Sequence, residues 1–216
     1  MPNLNTTFQE ADFAIPLHAL HLFNSGYEKV LVVSNDTDID VMLLYFMPQF
    51  QEHGMKELWM QAGPSHAIRY IPLHLLHARM GNELCKVLPA LYTLTGCDWT
   101  SKVGTKKSAL EADAETLLQG FGKYPAIVEA EAKQAEKFLV NVLKRNSSSD
   151  TFTMLRKEIY RASPTRTHSD LPPTSYGLKP HLQRANFNTY LITNKSAHTR
   201  TPYDEHISGG LWIRAD

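Results

Sequence analysis

Three aspartates, Asp36, Asp38 and Asp40, stand at alternate positions in VLVVSNDTDIDVMLLYF, residues 30–46, where a β-branched apolar run meets a second apolar run. Like charges a few ångströms apart raise one another's pKa and oppose folding, so such a junction requires a cation, a shared proton or dispersal into solvent. An all-oxygen donor set suits hard cations, Mg²⁺ or Mn²⁺. The alternative is ordinary capping, because aspartates between a strand and a helix serve as turns and N-caps. Asp40 fits that alternative best, as the capping-box partner of an N-cap at Thr37, and it is left outside the core site. Further acidic groups stand at Glu10 and Asp12, two apart in QEAD, and at Asp98 in TGCDWTS, beside small residues that permit close approach.

The elements that must position these groups follow from periodicity. KVLVVS reads as a buried parallel strand after a Gly turn, and open α/β sheets bind their ligands in the crevice outside the carboxyl ends of such strands. TDIDVMLLYFMPQF reads as a helix with Pro48 near its end, and Thr6–Asn24 as an earlier one. ELWMQA and AIRYIPL are short strands separated by a GPS turn. HLLHARM is a helix ending at Gly81, and ELCKVLPALYTLTG is apolar nearly all round, hence a buried helix. After Asp98 the texture changes to a basic, Gly-containing loop, SKVGTKKS, that leads into a helix. A long amphipathic helix, AIVEAEAKQAEKFLVNVLKRN, runs into the polar tract NSSSD, and TFTMLRKEIYRA is shorter. LPPTS precedes a last helix around Tyr176–Tyr190. The alternation of strand and helix indicates α/β layering. The expectation is a mostly parallel sheet with helices on both faces over residues 1–123, then a helical appendage and an extended, weakly periodic tail over 124–216.

Of the residues, 43% are hydrophobic and 20% charged, which excludes a fully disordered or fibrous chain. No apolar run approaches the roughly 20 residues of a membrane span, so no membrane partner is expected. MPNLNTTFQEAD has neither a basic nor an apolar leader region, and Cys85 and Cys97 read as reduced thiols within buried helix, which together suggest an intracellular, nuclear or cytoplasmic protein. The net charge of zero conceals an asymmetry. Residues 1–100 hold 5 Lys and Arg against 10 Asp and Glu, and residues 101–216 hold 17 against 12. That polarity suits cations at one end and polyanions at the other. His18 and His21, like His74 and His77, are three apart on helices, but zinc would need further ligands, and plain helix positions account for them.

The order E-x-D on a helix, strand-D-x-D, then a buried helix leading to G-C-D and a basic Gly-containing turn resembles the PIN-like nuclease superfamily, specifically its flap-endonuclease type. The resemblance covers roughly residues 7–112. More narrowly, EAD, LHAL, VLVVSNDTD, LPALYTLTGCDWTS and LPPTS look like a group of uncharacterised animal proteins with a PIN-like domain. It implies a divalent-metal-dependent nuclease in which Glu10, Asp12, Asp36, Asp38 and Asp98 hold Mg²⁺ or Mn²⁺, with Asp36, Asp38 and Asp98 at the catalytic centre. SKVGTKKS resembles the family's helix–turn–helix element, in which Lys102, Gly104, Lys106 and Lys107 would meet the phosphates of DNA or RNA.

The sequence departs from that pattern at two places. Family members begin with a strand bearing an early aspartate, so the chain resembles the carboxyl half of the domain, and a separate amino half or protein partner would complete it. The Gly-rich turn is reduced to the single Gly104, with bulky Trp99 after Asp98. Two readings follow: a truncated or degenerate nuclease, and a non-catalytic module that binds nucleic acid or protein through the retained fold.

Overall fold

The computed structural model describes residues 11–195 and 213–215. The chain is of α/β composition, and its residues divide into two compact units: one holds the described residues up to Lys86 and from Ile192 onwards, the other Val87–Leu191. The expected boundary at 123/124 therefore falls inside the second unit.

In the first unit, a single 3₁₀ turn at Ala11–Phe13 leads into α1 (Ala14–Asn24), which is followed by β1 (Lys29–Val33), α2 (Thr37–Glu52), β2 (Glu57–Ala62), β3 (Arg69–Pro72) and α3 (Leu73–Met80). β4 (Ile213–Ala215) returns to the same sheet, whose strand order is β3-β2-β1-β4. Only β1 and β2 are parallel, with Lys29 opposite Glu57 and Val33 opposite Gln61. β3 runs antiparallel to β2, and β4 antiparallel to β1. The sheet is thus mixed, and the expected mostly parallel sheet is corrected. The physical reason for β3 is its connection: the short loop after β2 can join only antiparallel neighbours, because a parallel return needs a crossover of a dozen or more residues. β1–α2–β2 is such a crossover.

β1, expected to be a buried strand, is buried on one face. Val30 and Val32 are buried, Leu31 is half-buried, and Val33 is exposed. β2 alternates likewise, with Leu58 and Met60 inside. α2 contributes Ile39, Met42, Leu43, Phe46, Met47 and Phe50 to this core, and the rings of Phe23 and Phe50 lie 5.5 Å apart. Full burial of each such side chain contributes about 1.5–3 kcal/mol. α3 stops where expected, with Gly81 at φ +86 as its C-cap.

α4 (Asn82–Thr95) contains the unit boundary. Beyond it come α5 (Lys106–Leu110), α6 (Ala114–Leu117), α7 (Glu129–Leu143), α8 (Phe152–Ala162) and α9 (Ser175–Lys195). The second unit buries Ala135, Phe138, Leu139 and Val142 of α7 with Phe152 and Leu155 of α8. Its interior also carries satisfied polar groups. The Thr93 and Thr189 hydroxyls are 2.7 Å apart, and Asn186 accepts from the Gly122 N–H at 2.9 Å while donating to the Tyr124 carbonyl. Buried polar groups held this way fix one arrangement of a core more narrowly than apolar contact alone.

Both cysteines are free. Cys85 is buried in α4, and that burial pushes its thiol up to about 11. Cys97 lies outside the helix in which it was expected, in a turn closed by a bridge to Thr100. Among the described residues no helix is long and apolar enough to cross a membrane.

Candidate functional site

The β1–α2 junction places three carboxylates at the carboxyl end of a strand with a parallel neighbour. Asp36, not Thr37, is the N-cap of α2: its backbone is extended, and its Oδ1 accepts from the Asp38 N–H at 2.9 Å. The Asp36 N–H donates to Ser34 Oγ at 3.1 Å, and Asn35 Oδ1 accepts from the Gly63 N–H at 2.6 Å, so the loop is braced against the end of β2. Asp38 and Asp40 then fall in the first turn of α2, where the helix dipole favours negative charge.

That one-residue shift changes the standing of Asp40. With Asp36 as cap, Asp40 occupies the fourth helical position, out of reach of the capping box that was to explain it. Its Oδ1 is buried and has no hydrogen-bond partner. Burial, with the nearby Asp36 charge adding to it, pushes its carboxyl up to about 6. Asp38 is only 7% exposed. Asp40 is therefore the member of the cluster that sequence reasoning set aside; the signal that would have found it is the equal claim of Asp36 to the N-cap.

The remaining expected ligands belong to other elements. Glu10 lies outside the described residues. Asp12 is half-buried in the 3₁₀ turn before α1, within the first unit. Asp98 is an exposed residue in the turn Cys97–Thr100 of the second unit. Among the described residues no group of three or more His, Cys, Asp or Glu side chains is arranged to hold a metal ion. Mg²⁺ nonetheless commonly takes one or two carboxylates and keeps several waters. Asp36, with one oxygen committed to the cap, and Asp38 and Asp40 supply oxygen donors alone, so the residues fit a hard divalent cation rather than a thiophilic one.

Several groups of the basic turn have partners within the second unit. Lys106 Nζ donates to the carbonyls of Tyr92 and Gly96, at 2.8 and 2.7 Å, and lies 3.7 Å from the centre of the Tyr92 ring. Its charge thus caps the C-terminal carbonyls of α4, where a cation is favoured. Lys106, expected to contact phosphate, thus has two of its three N–H donors engaged within the unit. Gly104, at φ +67, faces Val142 of α7 so closely that any Cβ would collide with its Cγ1. The glycine, expected beside phosphate, permits close packing there. The first turn of α5 is closed by a capping box between Thr105 and Ser108. Lys102, Lys106 and Lys107 are all exposed.

Comparison of the chain with known protein families, with curated proteins and with solved structures finds no match.

Proposed function

We propose that this chain is a degenerate divalent-metal-dependent nuclease of the PIN-like, flap-endonuclease type, whose surviving element is a Mg²⁺ or Mn²⁺ site at the β1–α2 junction. The observation that carries the reading is the buried Asp40 Oδ1, without a hydrogen-bond partner, near the Asp36 cap at a parallel-strand end. A carboxylate withdrawn from water next to a second one needs compensating positive charge. Asp36 and Asp38 would hold the ion, with Asp40 as a third donor and Asp12 as a further candidate from the same unit. A divalent ion bound there would supply Lewis-acid stabilisation and an activated water for phosphodiester hydrolysis. The chain's own contribution is to fix the two carboxylates: Ser34 and the Asp38 N–H orient Asp36, and the α2 core anchors the turn that carries Asp38.

The experiment is calorimetric titration of the protein with Mn²⁺, alongside an Asp36→Asn/Asp38→Asn variant. Saturable binding that the double variant loses is the expected result. Absence of binding, or binding that the variant keeps, refutes the site.

A second reading is favoured by the exposure of Lys102 and Lys107 on the basic turn. On that reading the chain is a non-catalytic module that binds nucleic acid through exposed lysines such as Lys102 and Lys107, and a positive outcome is salt-sensitive binding without metal-dependent cleavage.

A further inference from the structure

The loop between α7 and α8, residues 144–151, forms an open pocket of about 360 Å³ with the α8 surface, lined by Ser148, Ser149, Met154, Lys157, Glu158 and Arg161. The cavity lies wholly within the second unit. Several charges of this corner sort into ion pairs. Lys144 Nζ bonds Glu158 Oε1 at 2.6 Å, Lys137 pairs with Asp150, and Arg145 with Glu111. Lys157 and Arg161, both exposed and both lining the cavity, have no ion-pair or hydrogen-bond partner among the described residues. They stand four apart on α8, hence one turn apart on one face.

The loop opposite them is fixed. Asn146 takes a left-handed conformation, φ +59, which asparagine tolerates better than most residues. Glu158 accepts from Ser147 Oγ at 2.7 Å and Ser149 Oγ at 2.9 Å, in addition to Lys144. Ser147 Oγ in turn accepts from the Ser149 N–H at 3.1 Å, and Lys137 Nζ donates to the Ser149 carbonyl at 3.1 Å. Three donors on one carboxylate hold Glu158 well below the usual range, at about 2, and commit both its oxygens to the loop. The single acid of the cavity is thereby neutralised by Lys144, leaving two positive charges uncompensated. Ser148, at the exposed apex of this loop, is the hydroxyl that the internal network does not use.

We propose that this cavity binds a phosphate monoester, with Lys157 and Arg161 as charged donors to the phosphate, Ser148 as a neutral donor, and Met154 packing against the organic part. Compactness argues for a monoester over a nucleic-acid backbone. A diester chain is tracked by cations spread along a groove, whereas here two cations on one helix turn line a single concavity. A monoester dianion also matches the local charge of two. Charge-assisted hydrogen bonds from Arg and Lys are roughly twice as strong as neutral ones and suit such an anion.

The site is independent of the metal reading, and the test keeps them apart by running in chelator. The full-length chain is titrated at fixed ionic strength with inorganic phosphate, glycerol phosphate and dimethyl phosphate, followed by calorimetry and amide chemical shifts. Lys157→Gln/Arg161→Gln, altering two exposed unpartnered side chains, is compared with the charge-matched Lys102→Gln/Lys107→Gln. The expected result is saturable binding of glycerol phosphate, weakened at least about 10-fold in the first variant and less than about 2-fold in the second. Dimethyl phosphate, a monoanion, is expected to bind more weakly than either dianion-forming probe, with shifts confined to residues 147–161 for the two that bind. No saturation by about 10 mM, equal loss in both variants, or equal binding of the diester overturns the proposal.

Discussion

Asp40 brings together burial, charge and helix register in one side chain. Its carboxyl lies half-buried beside Asp36 and is pushed up to about 6, above its unfolded value. A group raised in this way contributes stability that is fully present below the ordinary aspartate range and is lost as the pH rises through about 6. At pH 7.5 the ionised carboxylate therefore opposes folding. Two pKa units set a ceiling of about 3 kcal/mol, and the side chain's partial exposure brings the expected size to about 1–2 kcal/mol. With chelator present, Asp40→Asn is expected to stabilise the protein by that amount in urea titrations at pH 7.5 and to lose most of the gain at pH 4. An equal gain at both pH values would assign the effect to packing instead of charge. Lys106 shows the opposite case at the same scale: a lysine on a basic turn reads from sequence as a phosphate contact, yet two carbonyls and an aromatic ring already satisfy it. The sequence could not reveal this, because Tyr92 and Gly96 meet Lys106 only once α4 has ended and the chain has turned back.

Among the elements, those set by local side-chain pattern were legible. The β1 and β2 strands, the α3 stop at Gly81, and the α7 stripe of Phe138, Leu139 and Val142 all follow from periods of two or 3.6 and from turn residues. Pairing direction was not legible, since a strand's neighbour is chosen by the whole ladder; β4 shows this best, as three residues near the chain end find β1, far away in sequence. The N-cap of α2 was missed by one residue because Asp and Thr cap almost equally well. Gly104 joins the two kinds of information. Its φ of +67 is local, but the wall it meets, Val142, belongs to α7. Gly104→Ala is thus expected to cost about 1–3 kcal/mol through both strain and overlap. Adding Val142→Ala should relieve the overlap alone. A double-mutant cycle is expected to show favourable coupling of about 0.5 kcal/mol or more, whereas additivity would mean that only backbone strain is at work.

Across the whole chain, the charge asymmetry follows the two compact units. Residues 87–191 hold 14 Lys and Arg against 10 Asp and Glu, while the acidic cluster of Asp36, Asp38 and Asp40 belongs to the other unit. A net zero charge thus describes neither unit. An excess of positive charge steers polyanions but is screened by salt, so its signature is the salt dependence of binding more than the affinity at any one condition. On the nucleic-acid-binding reading, the logarithm of the affinity for a short duplex should fall linearly with the logarithm of salt concentration, and Lys102→Gln/Lys107→Gln should reduce that slope by about 2, near one unit per lost phosphate contact. Lys106→Gln, although it removes the same charge as either neighbour, should leave the slope almost unchanged, because its ammonium is already committed to the end of α4. A slope that falls equally for Lys106 and for its neighbours would show that the turn acts through its total charge, and the distinction drawn from the Tyr92 and Gly96 carbonyls would then fail.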